Sequence, residues 1–173
     1  MAIAQFEITK RSRRPNYSMP NTPAANGSLA DGTIQTSRGV AFEESATPDT
    51  AQLATGASPI LGFVTRNIMK GGPQLADSIY PGRIDLPTVA GQEASFEYAE
   101  EVEAEGTDYI CGTGARGLDN TTVVGTKLSF DAGRFCKATT GQLAEFQLVG
   151  QITPKDSGNA CRIRARRLAG DYV

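Results

Sequence analysis

The chain has 173 residues, 39 % of them hydrophobic, with 19 Gly, 9 Pro, no Trp, no His and a formal charge of −2. That length allows one domain with a real core plus extra segments, or at most two small domains. The absence of histidine removes the usual general base near neutral pH and the commonest metal ligand, and an acidic balance supplies no global attraction to nucleic acid or an anionic membrane.

Many glycines with few aromatics suit short strands joined by tight turns and argue against long packed helices. The expected class is mainly β: a small antiparallel β-barrel or β-sandwich-like body behind an extended N-terminal arm, with at most one or two short helices. Residues 1–30 read as the arm and 31–173 as the body, which carries a loop insertion near 69–87.

In the arm, "AIAQFEIT" places Ala4, Phe6 and Ile8 on one face of an extended segment and Gln5, Glu7 and Thr9 on the other. The "KRSRRPNYSMPNTPAANGS" that follows is rich in Pro and small polar residues and cannot bury enough apolar surface to fold alone. Ordering each residue costs about 1–2 kcal/mol of backbone entropy, so the arm is expected to stay mobile until a partner surface offsets that cost.

The body opens with "GTIQTSRGVAF", a strand, a turn at Gly39 and a second strand. A short strand is expected around Gln52–Ala54, then a clear one in "ILGFVTRNI", interrupted at Gly62 as at a bulge or barrel corner. The 69–87 insertion is full of turn residues, with a short helix expected over Pro73–Ile79. Between Gly91 and Gly106, "EVEAEG" alternates Val102 with Glu101 and Glu103, a strand with one wet face. Later come "TTVVGTKLSF", "RFCKA", "LAEFQLVGQIT" and "CRIRARRL", separated by the turns "TTGQ" and "PKDSGNA". In the last, Cys161, Ile163 and Ala165 alternate with Arg162, Arg164 and Arg166, so one face packs and the other is strongly basic. "SPILGFVT" and "FQLVGQIT" share an apolar pair, a Gly and a closing apolar–Thr, which reads as a duplicated half or, preferably, as repeated corners of a closed or nearly closed barrel.

Charge is segregated along the chain. Lys10, Arg11, Arg13 and Arg14 sit near one end and Arg162, Arg164, Arg166 and Arg167 near the other, while no basic residue occurs between Ile84 and Ala115. Such a layout suits like copies associating head to tail or around an axis. Cys111, Cys136 and Cys161 are odd in number, widely spaced and without a CxxC, so they read as free core residues in a reducing compartment. No apolar run approaches the ~20 residues a membrane span needs, and "MAIAQFEITKRSRRP" lacks the order of a signal peptide.

Chemistry is sparse. "GTGARG" is followed by turn and strand, not by the helix a phosphate-cradling fingerprint needs, so it reads as an exposed hairpin loop. The carboxylates of "EYAEEVEAEG" lie along one strand without Trp to stack a sugar, and read as a solvated face. Without His there is no serine or cysteine triad. No catalytic, cofactor-binding or metal-binding residue is expected, and "KRSRR" alone would hold nucleic acid only weakly.

"RGVAF…QLATGASPILGFVTRN", "AGQEASFEYAEEVEAEGTDYI" and "VGTKLSFDAGRFCKATTGQLAEFQLVGQIT", closing on an Arg-rich strand, together resemble the capsid decoration (cement) proteins of tailed bacteriophages over roughly Gly39 to Arg167. The resemblance implies a non-enzymatic virion protein on the outer capsid surface, made in the host bacterial cytoplasm. Its partners would be the major capsid protein and its own copies, as a homotrimer at threefold or quasi-threefold sites, with no nucleic acid and no membrane. The capsid-binding residues expected in the arm are Ile3, Phe6, Ile8, Lys10, Arg11, Arg13, Arg14, Tyr17 and Met19, with Arg162, Arg164, Arg166 and Arg167 as a basic interface face. An arm with one apolar face suits strand addition to a partner's sheet edge. The 69–87 insertion departs from the most compact members of that family. The base of a head fibre or a tail-associated oligomerisation module is the alternative, and a small-ligand or enzymatic β-barrel a second one.

Overall fold

The structure is a computed structural model and describes residues 5–11, 17–20, 39–46, 51–68, 93–107, 109–112, 114–150, 153–154 and 161–172. The described residues form strands and turns and contain no helix. The helix expected over Pro73–Ile79, the whole 69–87 insertion, Ile3, Arg13 and Arg14 lie outside them.

The strands are β1 (Gln5–Arg11), β2 (Tyr17–Pro20), β3 (Ala41–Glu44), β4 (Ala51–Leu53), β5 (Ile60–Ile68), β6 (Glu93–Glu97), β7 (Ala99–Glu105), β8 (Lys127–Asp131), β9 (Arg134–Lys137), β10 (Leu143–Leu148), β11 (Thr153–Pro154) and β12 (Cys161–Tyr172). They make two sheets of antiparallel ladders. One runs β1-β7-β12-β10-β8-β9, with β11 beside β12; the other runs β2-β6-β5-β3-β4. The mainly-β expectation holds. The barrel does not: the sheets keep separate edges and pack face to face as a sandwich.

Phenylalanine explains the packing. Phe42, Phe63 and Phe96 from one sheet and Phe130, Phe135 and Phe146 from the other are all fully buried. Phe63 is the hub between the layers, with ring centroids 6.2 Å from Phe130 and 5.8 Å from both Phe135 and Phe146. Burying each such ring contributes roughly 1.5–3 kcal/mol, so the low aromatic content is concentrated where it counts. The strands supply this core by alternation, as in β12, where Ile163 and Ala165 are buried and Arg162, Arg164 and Arg166 exposed.

The chain passes from one sheet to the other at Tyr98, between β6 and β7. It is also tied across at the β8–β9 turn: Ala41 N–H donates to the Gly133 carbonyl (3.0 Å) and Gly133 N–H to the Ala54 carbonyl (2.8 Å). Gly133 has φ +76°, and a Cβ there would meet Val40 Cγ1 at 2.2 Å, so the junction requires glycine.

The two glycine cadences part company in three dimensions. Gly62 lies inside β5 at φ +154°, beside a register shift opposite Phe42 and Glu43, and a Cβ there would meet the Glu97 carbonyl oxygen at 2.6 Å. This is the expected bulge. Gly150 lies beyond the end of β10 and would place a Cβ in ordinary contact with Arg164. One glycine makes a bulge and the other only follows a strand, so the repeat is not a pair of barrel corners.

The leading segment is built into the same molecule. β1 pairs with β7 from Gln5↔Glu105 to Arg11↔Ala99, and Phe6 packs on the core with its ring 5.0 Å from Phe63 and 5.6 Å from Tyr109. A Cβ on Gly39 would collide with the Phe6 ring at 2.3 Å, so that glycine makes room for it. Phe6 and Ile8 face inward and Glu7 and Thr9 outward, the alternation read from sequence. What sequence reasoning lacked was the receiving surface: β7 offers a free edge and the Phe cluster offers apolar area, which together offset the ordering entropy within one chain.

Candidate functional site

The basic residues near the C-terminal end were expected to form an interface face, and their surroundings decide what they are free to do. β12 lies against β7 in the register Arg162↔Glu105, Arg164↔Glu103 and Arg166↔Glu101. On the outer face Arg162 bonds Glu103 and Arg164 bonds Glu101, each one step along the diagonal, while Arg166 Nε sits 3.2 Å from Glu101 Oε2. Lys10 of β1 extends the pattern, its Nζ 2.7 Å from Glu100 Oε2. The acidic middle and the basic ends of the sequence therefore meet inside one chain. Adjacent antiparallel strands bring opposite charges within reach at every second residue, so among the described residues Lys10, Arg162, Arg164 and Arg166 find acidic partners within the same chain.

The acidic face is less wet than alternation suggested. Glu101 is only 6 % exposed and Glu105 3 %. Glu101 takes the guanidinium groups of both Arg164 and Arg166, whose own side chains stay 52 % and 63 % exposed. The hydrogen bond from Arg164, with Arg166 and the charges of both, holds the Glu101 carboxyl below the usual carboxylate range against the opposing effect of burial.

Arg167 leaves the face. It pairs with Phe146 across β10, close to a register shift between Ala144 and Phe146, and its Nη2 donates to Glu145 Oε2 at 2.7 Å with both side chains under 10 % exposed. The other Glu145 oxygen, Oε1, accepts the Ile60 N–H of the opposite sheet. The Arg167 guanidinium lies 3.5 Å from the Tyr98 ring centroid, clamping the residue at which the chain changes sheets. Arg167 is thus a structural cation of the interior and not part of the expected basic face.

Among the residues expected in the arm, Phe6 and Ile8 are spent on the core and Lys10 on Glu100. Arg11 lies on the β1 backbone, and Tyr17 and Met19 on the backbone of β2, opposite Phe96 and Ala94. β1 and β2 are the end strands of the two sheets.

Three features escaped sequence reasoning. Glu43 is buried in β3 and accepts from Gln52 Nε2 (3.0 Å), Thr55 Oγ1 (2.6 Å) and Ser58 N–H (3.4 Å), which anchors the loop after β4. Val123 is 73 % and Val124 50 % exposed, at the tip of a loop pinned by Asp119 Oδ1, which accepts from Thr121 N–H at 2.9 Å. In "GTGARG" the turn closes as expected, Gly117 N–H donating to the Gly114 carbonyl. Its Arg116 turns inward, donating from Nη2 to the Phe130 carbonyl (2.9 Å) and to Cys136 Sγ. Glu43 and Arg116 carry no sequence signal because their partners lie well along the chain, whereas the Asp119–Thr121 turn is local.

No known family's sequence model matches the chain, and no curated protein or solved structure is significantly similar to it. Function must be argued from the arrangement itself. Within the described residues no three His, Cys, Asp or Glu side chains are grouped as a metal site, and Lys10, Arg162, Arg164, Arg166 and Arg167 each pair with a glutamate.

Proposed function

We propose that this chain is a structural virion protein, a decoration protein of a tailed-bacteriophage head that binds across neighbouring major capsid proteins as a homotrimer at threefold or quasi-threefold sites. The reading starts from the resemblance of Gly39–Arg167 to such proteins. The observation that carries it further is the placement of the leading residues: β1 and β2, both from the first twenty positions, are the end strands of the two sheets. An end strand keeps one row of backbone N–H and C=O groups for a partner, and a strand added there gains affinity from main-chain hydrogen bonds. The capsid contact is then edge pairing on a segment already held by its own body, in place of a loose strap. Three copies around an axis would multiply a modest single contact through effective concentration.

The test is electron microscopy with quantitative mass spectrometry of purified particles carrying this chain. Many copies at threefold or quasi-threefold positions, with β1 or β2 against a capsid subunit, support the proposal. A few copies at one vertex or on the tail would favour the head-fibre or tail module, and absence from purified particles ends the virion reading altogether.

A further inference from the structure

Residues 109–112 and 114–118 run along the free side of β9. Phe135 N–H donates to the Tyr109 carbonyl (2.7 Å), Cys111 N–H to the Phe135 carbonyl (2.9 Å) and Lys137 N–H to the Arg116 carbonyl (2.9 Å), around a parallel bridge Ile110↔Phe135. In parallel pairing the next residue on each side also falls into register and on one face. Those residues are Cys111 and Cys136. The two thiols influence each other's ionisation, and both are free. Arg116, from the same covering segment, donates to Cys136 Sγ, and Cys111 Sγ lies 3.9 Å from Asp131 Oδ2.

We propose that Cys111 and Cys136 are a peroxide-sensitive dithiol that closes to a disulfide and locks the segment that carries Cys111 onto β9.

The two sulfurs have unequal roles. Cys111 is 8 % exposed and Cys136 fully buried, so Cys111 meets the oxidant. The neighbouring Cys136 thiol, helped by the charges of Arg134 and Arg116 and opposed by burial and Asp131, brings the Cys111 thiol down to about 7. The proximity of Cys111 and burial push the Cys136 thiol up. The Cys111 thiolate attacks one oxygen of hydrogen peroxide, the O–O bond breaks, and the departing hydroxide takes a proton to become water, leaving a sulfenic acid. Cys136 sulfur, losing its proton, then attacks Cys111 sulfur; the S–O bond breaks and the hydroxide leaves with that proton as a second water. Two thiols and one peroxide become one disulfide and two waters. Neighbouring positions on paired strands have the Cα separation a disulfide needs, about 4.4–6.8 Å.

The experiment treats the reduced full chain with a slight excess of hydrogen peroxide near neutral pH and reads intact mass and a non-reducing peptide map. The expected result is a loss of about 2 Da and a single linkage joining the Cys111 and Cys136 peptides. Cys136→Ser should stop at a sulfenic acid that dimedone traps on Cys111. If that variant does not fold, the wild-type map still decides. A gain of about 32 or 48 Da at Cys111 without a linkage, a disulfide that includes Cys161, or three alkylatable thiols remaining after treatment would each overturn the proposal.

Discussion

The two faces of β12 use one residue type for opposite purposes. On the outer face Arg164 and Arg166 share Glu101, with side chains 52 % and 63 % exposed, so either can leave without stranding the carboxylate. One residue further on, Arg167 is sealed between the sheets against Glu145, Tyr98 and Phe146. Exposed pairs contribute little because water competes for both partners. A buried pair has surrendered its hydration, at several kcal/mol per ion, and depends on each partner to offset that loss. Identical side chains thus differ in consequence through their surroundings alone.

The largest effect should follow from breaking the inner pair. Glu145→Ala leaves Arg167 charged in the interior and removes the acceptor of the Ile60 N–H, and should cost roughly 3–5 kcal/mol in denaturant unfolding. A loss comparable to that of an outer arginine would erase the contrast between the faces. The inner face continues through β7 to β1, and Phe6→Ala tests how far it extends. The Phe6 ring is only partly buried, so the expected cost is about 2 kcal/mol, below the 3–5 typical of a fully buried phenylalanine. If unfolding is unchanged, the leading segment does not belong to the core in solution.

On the outer face the expected effects are smaller. Arg164→Ala should cost about 0.2–1 kcal/mol, shrinking as salt is raised. Glu101 has its folded pKa lowered, chiefly by the Arg164 hydrogen bond. Its contribution is therefore complete above the unfolded carboxylate range and is lost as pH falls through the lowered value. Comparing Glu101→Gln with the parent should show a stability gap at neutral pH that closes in acid. A gap that persists at low pH would mean that packing, not charge, sets the contribution.

Much of the architecture was legible locally. The period-two alternation of β1, β7 and β12, the Gly62 bulge and the turns at Gly39 and "TTGQ" depend only on neighbours along the chain, and the structure keeps them. The candidate face was legible only in part. Alternation placed Arg162, Arg164 and Arg166 outward, and the same period of two puts Arg167 on the side of Ile163 and Ala165, so counting it with the basic face went against the strand's own parity. In the leading segment the apolar face of Phe6 and Ile8 was evident, but not what would cover it.

The sequence by itself determined that this chain is made of short strands with one apolar and one charged side, because side-chain periodicity is a property of a single strand. Only the tertiary structure decided that acidic β7 lies beside basic β12, that the sheets form a sandwich instead of a closed barrel, and that Cys111 meets Cys136. Those outcomes depend on pairing between residues far apart in sequence, and a one-residue change of register would reverse every face.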